Sequence, residues 1–388
     1  MIVKVTIENF FSFGNSQVIE LNKDTNILVG INGSGKSNFI KAIRLLYECT
    51  AGIGMEKLIL REWGGFQSIV NFSDKHIQHI SITYEFEFKN LKKGNLSYEI
   101  TIQKFGILGS YGISELIYQS NNINRIYLEK NANGFRVSLD GKIFASSINK
   151  IENYSETALW QFIPVFLSES SLIKETIKNT VVYSYFDTTP TSPIRQLSPF
   201  YSEKNLLPTG ENLAYLLNEL NNNDVDAYNM IISELQNINP NVQSLGFQIQ
   251  GAGKIYLTLK EKGLSRTIPI EHISDGTLRL LLLLSIFYNP KRGSIICIDE
   301  PETGLHPDMI KTVAKAIKYA AKTSQIIVAT HSPLLLNAFE IEDVKIFEKN
   351  ENNESVVVSK SESDFEDWND EFLVGQLWLR GRIGGTRW

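Results

Sequence analysis

Hydrophobic and polar positions alternate from the first residues of the chain. Val3, Val5 and Ile7 take turns with polar neighbours, which predicts a strand with one buried face. A second apolar run, Asn26-Ile27-Leu28-Val29, ends in a glycine-rich turn, and beyond it Phe39, Ile40, Ile43, Leu46 and Tyr47 recur at helical spacing. From about Asp74 to Leu139 the alternation returns in Ile80, Ile82, Tyr84, Phe86 and Phe88, then in Tyr98, Ile100 and Ile102. Asn and Gly pairs separate the runs, so the stretch predicts a meander of antiparallel strands.

From about Ile148 to Asn239 the period becomes helical. Leu213, Leu216, Leu217 and Leu220 form one stripe, and Tyr228, Ile231, Ile232 and Leu235 form another that stops before Pro240. The Pro- and Ser-rich stretch Thr188 to Pro208 predicts an extended loop. Strand signals follow at Phe247–Gln250 and Ile255–Leu259. After them come a Leu-rich helix, a buried strand Ile295–Ile298, a helix near Asp308–Lys322 and a strand Ile326–Ala329. No internal repeat is visible, and no heptad pattern is long enough for a coiled coil.

Composition narrows the class. With 43% hydrophobic and 21% charged residues the chain has the balance of a globular protein with a real core. The net charge of −5 does not point to nucleic acid, although a local basic patch remains compatible with 38 Lys and Arg. Cys49 and Cys297 stand far apart, which excludes a disulfide framework and a Cys-rich metal site. The first residues read as a strand rather than a signal peptide, and the apolar run Leu278 to Tyr288 is too short to span a bilayer. The expectation is a cytoplasmic protein with no membrane partner.

Four motifs carry chemistry. Gly30-Ile31-Asn32-Gly33-Ser34-Gly35-Lys36-Ser37 is a complete GxxxxGK[ST] between a strand and a helix. Its glycines let backbone N–H groups curl round a phosphate. Lys36 then reaches the β- and γ-phosphates and the Ser37 hydroxyl takes magnesium. Ser294-Ile-Ile-Cys-Ile-Asp299-Glu300 is a buried strand ending in two carboxylates. Alone such a pair suits a helix cap. Beside a P-loop, Asp299 is expected to hold magnesium through water and Glu300 to polarise the attacking water. Ile273-Ser274-Asp275-Gly276-Thr277 sets small residues before the Leu-rich helix, where they suit either a second phosphate grip or an ordinary N-cap at Ser274 or Asp275. Ala329-Thr330-His331-Ser332 follows a strand, which places His331 on the ligand edge of a doubly wound sheet.

In this order the motifs resemble the ABC-type ATPase head of SMC, RecF and OLD-family proteins, over Ile2 to about Phe347. The implied fold is α/β, a P-loop ABC-type ATPase with a β-meander lobe and a large, mixed, partly helical insertion between Walker A and signature. The resemblance makes residues 30–37 the Walker A with Asn38 following, ISDGT the signature, IICIDE the Walker B, Glu300 the catalytic glutamate and His331 the switch histidine. Pro301-Glu302-Thr303-Gly304-Leu305-His306-Pro307 falls where the D-loop follows. Trp63-Gly64-Gly65-Phe66-Gln67 is the place for a Q-loop, with Gln67 on nucleotide and metal. Thr209-Gly210-Glu211-Asn212-Leu213 and Ser274 to Arg279 look like stand-alone OLD-like ATPases in particular.

Two departures shape the functional expectation. Residues 38 to 272 are too mixed for the coiled-coil arm of SMC proteins. No TOPRIM nuclease is recognisable after Glu300, and Asp224-Val225-Asp226 suits a helix cap. The resemblance therefore implies ATP and magnesium as cofactors and a homodimer across ATP, or a higher oligomer. It also implies a separate effector, expected to be a nuclease, in a bacterial phage-defence or toxin-type system. Rival readings are a RecF- or SMC-like DNA-repair ATPase, with direct DNA contact, and a slow-turnover nucleotide-gated scaffold. An ABC transporter subunit fits poorly, because the insert has no counterpart there.

The expected division is 1–147, N-terminal ATPase part; 148–245, helical insertion; 246–350, C-terminal ATPase part; and 351–388, a tail. Trp378, Arg380, Arg382, Arg387 and Trp388 are residue types of binding hot spots, so the tail from Phe372 is a candidate docking segment. Packing of Leu377 and Trp378 back on the chain is the competing reading. Lys89, Lys92 and Lys93 read as a solvated hairpin tip.

Overall fold

The computed structural model describes residues 1–73, 77–88, 91, 94–105, 110–131, 134–139, 142–148, 153–161, 168–251, 253–365 and 373–384. Two compact units contain them. The first holds Met1–Val181, Glu342–Phe365 and Gly381–Trp388; the second holds Val182–Ile341 and Glu366–Arg380. The segment 148–245, expected as one helical insertion, is divided between the units near residue 181. The strand Val242–Gln250 also begins inside it, where apolar alternation resumes before its expected end. Lys89, Lys92 and Lys93 lie outside the described residues.

In the first unit an eight-stranded antiparallel sheet runs in the order Gln17–Glu20, Ile2–Glu8, His79–Phe86, Leu96–Phe105, Ser110–Gln119, Asn122–Asn131, Gly134–Leu139 and Lys142–Ile148. Alternation places one face of it in the core. Ile2, Val5 and Ile7 are buried beside Ile80, Ile82, Tyr84 and Phe86, with Val5 opposite Tyr84 and Ile82 opposite Ile100. The strand Thr25–Gly30 is buried along its whole length, as a run without alternation predicts. It pairs in parallel with Val344–Lys349, which pairs antiparallel with Ser355–Ser359. The helix Lys36–Glu48 buries Phe39, Ile40, Ile43 and Leu46, and Tyr84 Oη donates to the Ala42 carbonyl at 2.6 Å, pinning the helix to the large sheet.

In the second unit Val242–Gln250 and Lys254–Glu261 form a hairpin, extended by the short strands Ser198–Pro199 and Ile268–Pro269. Helices Leu213–Asn223, Val225–Ile238 and Pro307–Ala321 pack against Asp275–Tyr288. That last helix is apolar on nearly every side, and burial of Leu278 and of every residue from Leu280 to Tyr288 is the consequence. Ile295–Asp299 and Gln325–Ala329 are parallel neighbours, both fully apolar in their middle. Asp224 stands before its helix without a side-chain capping bond; its carboxylate meets Lys291 at 3.3 Å.

Part of the tail's apolar surface is covered within the chain, as the packing reading of Leu377 expects, while Leu373 and Leu379 are exposed. Val374 and Leu377 are buried on the helix Val374–Leu379, which packs on Pro333–Leu336, and Trp378 is half-buried. A Cβ at Gly375 would lie 2.1 Å from the Pro333 carbonyl, so the approach is tight. Ile383, in the first unit, is fully buried, whereas Arg380 and Arg382 are exposed. Phe372, Arg387 and Trp388 lie outside the described residues. Among the described residues no helix is long and apolar enough to cross a membrane.

Both thiols are packing groups. Cys49 and Cys297 are fully buried, and burial pushes the first up to about 12 and the second higher still. Neither is therefore expected to react with iodoacetamide in the folded protein at neutral pH, and both should react in denaturant. Mass spectrometry of the two samples checks this.

Candidate active site

The P-loop is built in the first unit. After Gly30 the chain turns through Gly33 and Gly35, at φ +80° and +112°, and enters the helix at Lys36. Each glycine has a separate reason. A Cβ at Gly30 would sit 2.4 Å from the Phe347 carbonyl, and one at Gly35 would sit 2.2 Å from Ser355 Oγ. Gly33 faces open space, so only its left-handed backbone requires glycine. Ser355 Oγ lies 2.6 Å from the Ser34 carbonyl and 2.7 Å from Ser12 Oγ, and Asn38 Nδ2 donates to the same Ser12 hydroxyl at 2.8 Å. Asn38 thus braces the loop from behind. Asn32, Gly33 and Ser37 are exposed.

Several features suit this loop to a polyphosphate. The helix N-terminus carries neither a side-chain cap nor an acidic residue in its first turn, so its N–H groups and dipole favour an anion. Ser34 Oγ is buried with no hydrogen-bond partner among the described residues. Lys36 is 5% exposed, and its ammonium donates to the carbonyls of Gly30 at 2.9 Å and Ile31 at 3.2 Å, which keeps a cation at the mouth of the loop.

Gln67 lies in the same unit on the short helix Phe66–Ile69, exposed between buried Phe66 and Ile69. Gly64 and Gly65 precede it at φ +79° and +90°. The segment is held to the start of the chain by Phe11 N–H on the Ile69 carbonyl at 2.7 Å and Asn71 Nδ2 on the Phe11 carbonyl at 2.9 Å.

The carboxylates are built in the second unit. Asp299 ends its strand opposite Ala329, and Glu300 N–H donates to the Ala329 carbonyl at 2.8 Å. Glu300 has φ +47°, a conformation a residue with a Cβ seldom adopts and one that gathers at functional sites. Its half-exposed carboxylate lies 3.6 Å from His331 Nε2 through Oε1 and accepts from Thr303 Oγ1 at 3.2 Å through Oε2. Glu302 organises the neighbouring strand end. Its Oε1 accepts from Thr330 Oγ1 at 2.6 Å and from His331 N–H at 2.9 Å, which fixes the backbone that presents the imidazole.

The signature residues share this unit. Ser274 is the N-cap of Asp275–Tyr288 and accepts from Thr277 N–H at 3.2 Å, so the capping reading of this motif is real. Ser274 and Asp275 are exposed at this turn, while Gly276 is half-buried, and a Cβ there would be in ordinary contact with the Gly304 carbonyl at 3.7 Å and the Met309 thioether at 3.8 Å. His306 caps the next helix, with Nδ1 facing Asp308 N–H at 3.4 Å.

One residue here had no role assigned from the sequence. Arg195, 5% exposed, sits in the stretch read as a Pro- and Ser-rich loop. Its guanidinium donates to the carbonyls of Thr188, Ile270, Glu271 and Ile273 and to Asp275 Oδ1, and so holds the turn before the signature helix in place. An arginine in a polar stretch gives no sequence signal of such a task. Arg195→Met should leave those buried carbonyls unpaired and lower unfolding free energy by about 3–5 kcal/mol, read as a fall in denaturant midpoint.

The P-loop opening a helix in the first unit, and the strand-end carboxylate pair, capped turn and strand-end histidine in the second, accompany the fold of an ABC-type head. Solved SMC heads have the same fold. The SmcHead bound to the C-winged helix domain of ScpA aligns at TM-score 0.59 and 18% identity, covering 94% of this chain and 99% of that one. The Smc head domain with an extended coiled coil, bound to the C-terminal domain of ScpA derived from Pyrococcus furiosus, aligns at 0.58 and 17%, covering 94% and 97%. Residues 25–337 match the family described as "AAA domain, putative AbiEii toxin, Type IV TA system", and the chain belongs to that family. It is also similar to the "Retron Vc95 probable ATPase" of Vibrio cholerae serotype O1 biovar El Tor, 36% identical over 75 residues. That match covers 19% of this chain and 15% of the relative.

Proposed function

We propose that this chain is an ATP-binding and ATP-hydrolysing conformational switch that works as a head-to-tail homodimer. The observation that carries the reading is the Glu300 carboxylate, held in a strained left-handed turn between Thr303 and His331 at the end of a buried strand. A carboxylate so placed can accept a proton from water as that water attacks a γ-phosphate, the bond to the ADP oxygen breaking as phosphate leaves. Lys36 and the loop N–H groups from Asn32 to Lys36 are the phosphate donors, with Asn38 bracing them. Ser37, Asp299 and Gln67 offer hydroxyl, carboxylate and amide oxygens, the donor types a hard divalent cation takes. Magnesium bound by them would neutralise charge on the transferred phosphoryl group.

Ser274, Asp275 and Gly276 act on the nucleotide of a second copy. The exposure of Ser274 and Asp275 supports this, and so does the tendency of identical chains to close in twofold pairs. The family description, which names a toxin and a toxin–antitoxin system, supports a toxin-type role. A phage-defence setting and a separate effector of nuclease class complete the proposal and rest on the motif resemblance alone. Light scattering tests the switch. Glu300→Gln with ATP and magnesium should run at twice the mass of the nucleotide-free protein, whereas a monomer under both conditions would contradict the dimer.

A further inference from the structure

We infer that Arg279 is a positioning residue for hydrolysis, acting through Thr303 on the Glu300 carboxylate and so tying that carboxylate to the signature helix. The inference rests on the role of Glu300 proposed above. Arg279 is a polar interruption of the apolar helix Asp275–Tyr288, lying one turn beyond Asp275. Its side chain leaves the leucine-lined core and reaches the turn that follows Glu300. Nη1 donates to the Thr303 carbonyl at 2.9 Å, Nη2 to Tyr185 Oη at 2.8 Å, and Nε to Thr188 Oγ1 at 3.3 Å. The guanidinium also lies over the Tyr185 ring, 4.8 Å from its centroid.

The turn is shaped to receive it. Gly304 has φ +76°, and a Cβ there would come within 3.0 Å of the guanidinium. Thr303 is then held on both sides, its carbonyl by Arg279 and its hydroxyl by Glu300 Oε2 at 3.2 Å. Thr303 N–H closes the turn on the Glu300 carbonyl at 3.1 Å. Arg279, Asp299, Glu300 and Thr303 line one cavity of about 230 Å³, together with Tyr185 and Pro301. A movement of the signature helix therefore displaces the Thr303 peptide, and with it the hydrogen bond that aims the carboxylate.

A purely structural arginine would affect stability without a selective effect on the chemical step. Misplacing a catalytic group by about 1 Å costs on the order of a hundredfold. Arg279→Gln and Thr303→Val should accordingly lower kcat by roughly tenfold to a hundredfold while KM stays within about twofold. Thr303→Ser, which keeps the hydroxyl, should retain kcat within about twofold. The double variant should be no slower than the slower single, because both changes break one chain of contacts. Thr303 is exposed, so its two variants decide the matter even where Arg279→Gln fails to fold. Glu300→Gln in the same assay separates the two ideas. Loss of turnover there, with wild-type kcat in Thr303→Val, overturns the role of Arg279 alone. Normal turnover in Glu300→Gln overturns the underlying assignment of Glu300.

Discussion

Lys36→Ala is expected to weaken ATP binding by about 2–5 kcal/mol, or roughly thirtyfold to several thousandfold in Kd. Lys36 is the buried cation of the P-loop, and its ammonium already lies against the Gly30 and Ile31 carbonyls at the phosphate side of the helix. Alanine removes the charge that the β- and γ-phosphates would meet and leaves those two carbonyls to water. The glycines, the helix N-terminus and Ser34 remain, so the loop keeps its shape while losing its strongest contact. Titration with a fluorescent ATP analogue measures the effect, and a thermal melt beside it shows that the fold persists. An affinity within a few-fold of wild type would remove Lys36 from the site.

Glu300→Gln is expected to bind ATP as wild type does and to hydrolyse it about a hundredfold to ten-thousandfold more slowly. The amide keeps the length and shape of the side chain, the bond from Thr303 and the contact with His331, but it cannot accept a proton from water. Binding is expected to survive because the proposed phosphate contacts belong to residues 30–37 rather than to Glu300. Its difference from Lys36→Ala is the diagnostic feature: one variant loses affinity, the other loses the chemical step.

What the sequence made legible is local. The P-loop declares itself because every requirement lies within eight residues: glycines where a Cβ would strike Phe347 or Ser355, then lysine at the first helical position. The Walker B strand declares itself by four apolar residues before two carboxylates, and the meander by the alternation of Ile80, Ile82 and Tyr84 that the sheet buries. The capping and phosphate readings of Ser274 are inseparable from sequence because small residues before a helix suit both; the structure shows the cap.

What remained hidden depends on distant partners. Arg195 meets Asp275 across 80 residues of chain, and Arg279 meets Thr188 across 91. No periodicity records such pairs. Glu302 carries no sequence signal of its task, because Thr330 and the His331 amide reach its carboxylate from 28 and 29 residues away. The tail's composition left docking and packing both open: Val374, Leu377 and Ile383 are buried within the chain, whereas Leu373 and Leu379 are exposed.

The most direct test of the central claim is phosphate release from ATP and magnesium, measured side by side for the wild-type chain and Glu300→Gln at equal nucleotide occupancy. The account predicts steady release by wild type and a rate at least about a hundredfold lower for the variant. Equal rates in the two proteins, with occupancy verified, would contradict it.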